Sequence, residues 1–153
     1  MNYADKAENL FRSGLNCAQA VSGAFCDVFS CIDELLVLDL ASPFGGGFAR
    51  KRDLCGAVSG MGIVFGLTLG THTGEEKLGT YASAAALTDR FIDRYESIVC
   101  SELLEKTPDL ALADRKSPLT EDEKQAHHWP CIDYVRVAAK VTEEYLREHG
   151  VIK

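Results

Sequence analysis

Apolar residues recur at intervals of three and four along most of this chain, which is the spacing of helices that bury one face. The first such helix is predicted to start near Tyr3 and to end at Gly14, which can adopt a left-handed cap. Asn16 is then placed to cap a second helix, whose apolar stripe runs from Cys17 to Val28. The N-terminal segment therefore predicts two amphipathic helices that face a common core.

The stretch 44–70 is the most unusual part of the pattern, because a glycine-rich loop with three basic residues leads into a helix that is apolar on nearly every side. Asp53 is the expected N-cap of this helix, which puts Cys55 at its second helical position. Glycines occupy positions 56, 60, 62 and 66. Since each costs up to about 1 kcal/mol against alanine, we expect a neighbouring helix or a bound group to approach the bare backbone closely.

Capping signals divide the rest of the chain into further helices. A short helix is expected within residues 33–43, between an aspartate cap and a proline. Thr73 and Glu76 form a capping box that opens a long helix. That helix is predicted to continue through Cys100 to about Lys106.

The C-terminal part begins with a polar, proline-marked segment, 107–118, which is expected to be a surface connection. Thr120 and Glu123 repeat the capping box for a short helix, and Pro130 then starts the last helix with Cys131 as its second residue. No run alternates with the period of two that strands require. The expected fold is an all-α, single-domain bundle of about six helices around the central glycine-rich helix, spanning all 153 residues.

Composition and charge narrow the range of functions. With 46% hydrophobic and 25% charged residues, the chain can build a core that needs no disulfide. A net charge of −7 argues against nucleic acid or an anionic membrane as the main partner. No signal peptide is predicted, and no apolar stretch reaches the roughly 18 residues of a membrane span. We therefore expect a cytoplasmic protein whose cysteines are kept reduced.

Three of the six cysteines share a setting that indicates chemistry. Cys17, Cys55 and Cys131 each lie in the first turn of a predicted helix and face inward or start an apolar stripe. Unpaired amides and the helix dipole favour a thiolate there, so converging helix starts would form an electropositive pocket of reactive sulfurs. Cys100 could join them if the long helix ends beside the same pocket. The alternative for Cys55 is an inert buried thiol.

Two chemistries suit such a pocket. A pair of thiols could cycle between dithiol and disulfide and carry two electrons. Three or four thiolates could instead hold zinc or an iron–sulfur cluster, since sulfur ligands select those centres. His128 could add a nitrogen ligand, although a solvent-exposed histidine at a helix junction is the more ordinary interpretation. The candidate metal ligands are then Cys17, Cys55, Cys100, Cys131 and His128.

The loop before the central helix and the first turn of that helix each add one candidate cofactor-contacting residue, Arg50 and Gly56 respectively. The glycines at 45–47 with the basic residues after them could cradle an anion, but their spacing matches neither a P-loop nor a dinucleotide fingerprint. We favour a loop with unusual dihedral angles, in which Arg50 steadies thiolate charge. Gly56 would let a bound group reach the helix backbone.

Several segments of the chain resemble the C_GCAxxG_C_C family, whose label is built from four cysteines and a glycine motif. The matching segments occur in the family's order: 16–21, 45–48 with Arg50, 55–60, 100–104, and His128 with Cys131 and Val135. The resemblance implies a redox role inferred from cysteines, and it brings no substrate or reaction. It identifies Cys17, Cys55, Cys100 and Cys131 as the family's four cysteines and leaves Cys26 and Cys31 as extras.

Three functional hypotheses follow. The leading one is a redox protein in which the four family cysteines form one site, for thiol–disulfide exchange or a redox metal centre, with an unidentified electron or thiol partner. The second is a non-catalytic metal or cluster carrier. The third is a structural helical module, which could be a homodimer, with incidental buried thiols.

Overall fold

The computed structural model describes residues 1–105, 122 and 130–153. Within these residues the chain forms seven α-helices and no β-strand, which confirms the predicted all-α fold. Two 3₁₀ turns, Cys26–Val28 and Ser42–Phe44, follow the second and third helices. The helices are α1 (Tyr3–Arg12), α2 (Cys17–Ala24), α3 (Glu34–Ala41), α4 (Gly56–Leu69), α5 (Lys77–Tyr95), α6 (Cys100–Glu105) and α7 (Pro130–Glu148).

The centre of the bundle is formed by α2, α4 and α7, which contact one another pairwise. α1 packs across α2 and α7, and α5 lies against α4 and α7. Phe25, Met61 and Phe91 are among the largest side chains that are fully buried between these helices. Burying an apolar side chain of this size stabilises the fold by about 1.5–3 kcal/mol. The glycine-rich helix α4 is therefore central, as its apolar pattern predicts.

The predicted caps of the early helices are confirmed. Asn16 Oδ1 accepts the N–H of Gln19 at 3.0 Å, and Gln19 Oε1 accepts the N–H of Asn16 at 3.1 Å, so a complete capping box fixes the start of α2. The Asp33 carboxylate accepts the N–H of Leu35 at 3.0 Å and caps α3. Because the cap ends the preceding loop at Asn16, Cys17 is the first residue of α2.

The predicted start of α4 at Asp53 is wrong, because the helix begins at Gly56 with Cys55 as its N-cap residue. Leu54 forms an isolated antiparallel bridge with Val99, and this bridge keeps the backbone before α4 extended. The N–H of Cys55 donates to Ile98 O at 2.7 Å. Asp53 cannot cap the helix, since its own segment is committed to pairing with the chain after α5.

The predicted continuation of the long helix to Lys106 is also wrong. α5 ends at Tyr95, because Glu96 adopts a left-handed conformation with φ of 61° that breaks the helix. The hydroxyl of the buried Ser97 then accepts the N–H of Val99 at 3.0 Å, and a separate helix starts at Cys100. This break places Cys100 in a first turn instead of deep inside a helix.

The proposed capping box at the start of α5 is absent as well. Glu76 is the N-cap residue of α5, and its side chain forms no hydrogen bond with the first turn of that helix. Thr73 instead donates its hydroxyl to the Glu76 carboxylate. The helix begins at Lys77, four residues after the threonine, so Thr73 is too far upstream to cap it.

The glycines of α4 fall into two classes. A Cβ atom at Gly60 would lie 2.7 Å from Val21 Cβ and 2.9 Å from Ala18 O, so the bare backbone is what lets α2 pack so closely. Gly62 and Gly66 have nothing within 4 Å of such an atom and lie on an exposed face. The expectation of close approach therefore holds for the inner glycines only.

The polar connection at 107–118, the short helix predicted after Thr120, and His128 all lie outside the described residues, apart from Asp122, which is helical. None of the helices in the described part of the chain has the length and apolar character needed to cross a membrane.

Candidate functional site

Four cysteines lie at the starts of four different helices. Cys17 is the first residue of α2, Cys55 is the N-cap of α4, and Cys100 is the first residue of α6. Cys131 is the second residue in the described part of α7. The Cys17 thiol interacts electrostatically with the other three, and the Cys55 thiol with those of Cys100 and Cys131, so the fold brings these helix starts together.

Two glycines allow the helix starts to meet. A Cβ atom at Gly56 would lie 3.0 Å from Phe44 O and 3.1 Å from Cys17 Cβ, so this glycine lets the beginnings of α2 and α4 touch. A Cβ atom at Gly47 would lie only 2.6 Å from Cys100 Cβ, and the residue has a φ of 72° that favours glycine. Gly56 therefore acts here through helix packing, and Gly47 brings the loop against α6.

Within this group a hydrogen bond joins the side chains of Cys17 and Cys131. That hydrogen bond, with burial as the next cause, raises the pKa of Cys17 well above its usual value. The same bond lowers the pKa of Cys131, and the positive charge of Arg52 lowers it further. Cys17 is therefore the S–H donor, and Cys131 is the thiol that ionises first.

Cys55 is buried, whereas Cys17 and Cys131 are partly exposed. Burial raises the pKa of its thiol to about 12, although the nearby N–H groups of Ala57 and Val58 partly oppose this. These amides belong to the first turn of α4 but form no cap hydrogen bond of standard geometry with the sulfur. Cys55 consequently remains a neutral thiol at neutral pH.

A family model described as "Putative redox-active protein (C_GCAxxG_C_C)" matches residues 15–145, which is most of the chain. The chain belongs to the C_GCAxxG_C_C family. No curated protein and no solved structure gives a significant match. The family assignment agrees with a redox role at the level of its description, and it specifies no reaction.

Two further cysteines of this C_GCAxxG_C_C protein take no part in the group. Cys26 is half-buried in the 3₁₀ turn after α2, and its pKa is raised to about 11 by burial and by the negative charges of Glu34 and Asp27. Cys31 is exposed. In the described residues no disulfide is present.

The arginine that the structure places beside the thiols is Arg52. Its Nη1 lies 4.0 Å from Cys100 Sγ, and its charge lowers the pKa of Cys131. Arg50, the residue that the sequence suggested for this role, has an exposed side chain two positions earlier. Sequence reasoning missed Arg52 because the choice among three adjacent basic residues depends on a backbone turn that no periodic pattern reveals.

That turn is a short left-handed helical segment. Residues 46–50 all have positive φ, from 47° to 72°, and three of them, Phe48, Ala49 and Arg50, are not glycine. Each such non-glycine residue costs roughly 1–2 kcal/mol. Backbone hydrogen bonds offset part of the cost, for example from Ala49 N to Pro43 O at 2.7 Å. Strain of this kind is typical of functional sites.

The turn also fixes Arg52 against the start of α6. Arg52 has a φ of 64°, and its carbonyl accepts the N–H of Ser101 at 3.1 Å. The next carbonyl, of Asp53, accepts the N–H of Cys100 at 2.6 Å. The loop carbonyls thus accept two of the N–H groups that a helix start leaves unpaired, and these bonds hold the Arg52 guanidinium beside the Cys100 sulfur.

Aromatic side chains close the core side of the site. Tyr134 lies one turn after Cys131, donates its hydroxyl to Leu103 O at 2.8 Å, and packs edge-on against Tyr95 at 4.7 Å between ring centres. Burial raises the pKa of Tyr134 to about 12. The thiols therefore have an apolar wall behind them and a basic loop on the other side.

A metal centre would need three or four ligand side chains close together. Among residues 1–105, 122 and 130–153, no three Cys, His, Asp or Glu side chains are arranged to hold a metal ion together. His128 lies outside these residues. The described donors therefore do not form a site for a single metal ion such as zinc.

Proposed function

We propose that this protein carries electrons by thiol–disulfide exchange, with Cys131 as the attacking thiolate and Cys17 as the resolving thiol. The observation that carries the proposal is the hydrogen bond between these two side chains, which puts two sulfurs from different helices in direct contact. Thiolates attack disulfides, so a pair in contact that contains one readily ionised thiol is suited to this chemistry.

The reaction has two steps. In the first, the Cys131 thiolate attacks one sulfur of a partner disulfide, forms a mixed disulfide and releases the partner's other half as a thiolate. In the second, Cys17 loses its proton to solvent and attacks the Cys131 sulfur, which releases the second partner thiolate and leaves a Cys17–Cys131 disulfide. The protein dithiol loses two electrons, and the partner disulfide gains them.

The surroundings support this order of attack. Arg52 and the hydrogen bond from Cys17 both stabilise negative charge on Cys131. Cys17, whose pKa is raised by the same hydrogen bond, keeps its proton until Cys131 has reacted. Once Cys131 is a mixed disulfide it no longer holds that proton in place, and Cys17 can ionise.

Cys55 and Cys100 serve in this proposal as flanking thiols of the same site. Both interact electrostatically with Cys17, and Cys100 shares Arg52 with Cys131. A cytoplasmic setting fits the proposal, because the working pair must be returned to its dithiol form by a thiol partner.

The test counts thiols before and after mild oxidation in three single variants. The wild-type protein should lose two thiols per chain. C131S lacks the attacking thiol, so its thiol loss should be slower than in the wild-type protein. C17S keeps a hydroxyl donor but cannot resolve, so it should accumulate a mixed disulfide that mass spectrometry detects as an adduct on Cys131. The control C26S, outside the site, should behave as wild type. An unchanged rate of two-thiol loss in C131S would show that the proposal is wrong.

A further inference from the structure

The loop that carries Arg52 contains two further basic residues. Arg50 and Lys51 precede Arg52 directly, and both have exposed side chains. Consecutive Cα atoms are about 3.8 Å apart, so these residues begin within about 8 Å of Arg52 along the chain. That distance is comparable with the Debye length of about 8 Å at physiological salt, so their charges are felt by an anion that approaches Arg52.

The positive charge of this loop contrasts with the net charge of the whole molecule. The whole chain has a net charge of −7, so an approaching anion is repelled by most of the surface. The acidic residues nearest in sequence to the site cysteines are Asp53 at the end of the loop, Glu102 two residues after Cys100, and Asp133 two residues after Cys131. Asp53 offsets only one of the three consecutive basic charges, and the loop remains positive.

The left-handed turn gives the basic residues a fixed position. Arg50 itself has a φ of 59°, and its N–H donates to Gly45 O at 3.2 Å. Arg52 is tied through its carbonyl to Ser101 in α6, where Cys100 starts the helix. A strained, hydrogen-bonded loop therefore holds a run of positive charge at the start of α6, beside the reacting sulfurs.

Resting on the function proposed above, we propose that the oxidising substrate is a small disulfide that carries carboxylates, and that Arg50 and Lys51 steer it to Cys131. The Cys131 thiolate attacks one sulfur of this disulfide, and the released half departs as an anionic thiolate through the same positive field. Cys17 then displaces the second half. Two carboxylate-bearing thiols leave, and the Cys17–Cys131 disulfide remains.

The test compares three small disulfides of similar size: dithiodiglycolate with two negative charges, hydroxyethyl disulfide with none, and cystamine with two positive charges. The rate of protein oxidation by each disulfide is divided by the rate at which the same disulfide reacts with 2-mercaptoethanol. This ratio corrects for differences in the intrinsic reactivity of the three reagents. The wild-type protein should prefer dithiodiglycolate over hydroxyethyl disulfide by about tenfold at low salt, with cystamine slowest. The preference should shrink as salt is added.

The variant R50Q/K51Q should lower the preference for dithiodiglycolate by about threefold or more, since two steering charges are removed. The matched control is K77Q/K140Q, which removes two exposed lysines elsewhere. Lys140 lies about 13 Å along α7 from Cys131, and Lys77 lies about 27 Å along α5 from Tyr95. The control should keep the wild-type preference.

Two results would overturn the steering proposal: a preference that neither salt nor R50Q/K51Q changes, or cystamine as the fastest reagent. The salt series uses the wild-type protein, so it decides the matter even if the double variant folds poorly. Failure of the proposed function looks different, because hydroxyethyl disulfide would then leave the Cys17 and Cys131 thiols of the wild-type protein unoxidised.

Discussion

Replacing Gly60 with alanine tests the close contact between α2 and α4 that helps to place Cys17 beside the other thiols. The new Cβ atom would lie 2.7 Å from Val21 Cβ and 2.9 Å from Ala18 O. Both atoms belong to the backbone of α2 or are bonded directly to it, so a side-chain rotation cannot relieve the contact. The helices must separate, or their backbones must shift.

The size of the stability change expected in G60A follows from two opposing effects. Alanine in place of glycine favours a helix by about 1 kcal/mol, whereas overpacking a tight core costs about 1–3 kcal/mol. We expect a net loss of about 1–2 kcal/mol in the free energy of unfolding of G60A. Gly62, two residues later on the open face, provides the matched control, because a Cβ atom there meets nothing within 4 Å. G62A should gain up to about 1 kcal/mol.

Urea denaturation followed by circular dichroism measures both variants, and equal m-values would show that the folded and unfolded states are comparable. The two substitutions are chemically identical and two residues apart, so opposite signs can come only from their surroundings. The packing argument fails if G60A is as stable as the wild-type protein, or if both variants change stability in the same direction.

Two further predictions concern the basic loop. Ala49 is exposed with a φ of 47°, so A49G should relieve strain and stabilise the protein by about 0.5–1 kcal/mol after the entropy of the unfolded glycine is counted. The control A85G, on the exposed face of α5, should destabilise the protein by about 1 kcal/mol. A loss of stability in A49G, measured by urea denaturation, would contradict the strain argument. R52Q removes a charge that lowers the pKa of Cys131, so the pH profile of Cys131 alkylation should move to higher pH. R52K, which keeps the charge, should restore the profile in part. An unmoved profile in R52Q would contradict the role of Arg52.

The sequence predicts those parts of the fold that depend on local interactions. The caps at Asn16 and Asp33 are confirmed because a short polar side chain and the amides of one helical turn decide them. The all-α fold follows from apolar spacing in the same way. Close packing at Gly60 could also be predicted, since a glycine on the inward face of a helix needs a compensating contact.

Errors occur where distant segments pair. The bridge between Leu54 and Val99 moves the start of α4 from Asp53 to Gly56, and the left-handed Glu96 divides the long predicted helix. Neither is visible in a periodic pattern, because the bridge joins residues far apart in the chain and the left-handed conformation occurs at a single non-glycine residue. The placement of Cys100 at a helix start follows from both.

The arginine beside the thiols illustrates the same limit. A run of three basic residues indicates charge near the site, but a left-handed turn decides which of them faces the sulfurs. Non-glycine residues rarely adopt such a turn, so local propensity argues against the conformation that the structure has. The position of Arg52, instead of Arg50, beside the thiols is therefore known only from the three-dimensional structure.

The claim that Cys17 and Cys131 are the working pair is tested most directly by mapping the disulfide formed when the reduced wild-type protein is oxidised with hydroxyethyl disulfide. Peptides from a digest under non-reducing conditions, identified by mass spectrometry, should contain a Cys17–Cys131 link as the first and main product. A first link that joins other cysteines, or oxidation confined to Cys26 and Cys31, would contradict the account.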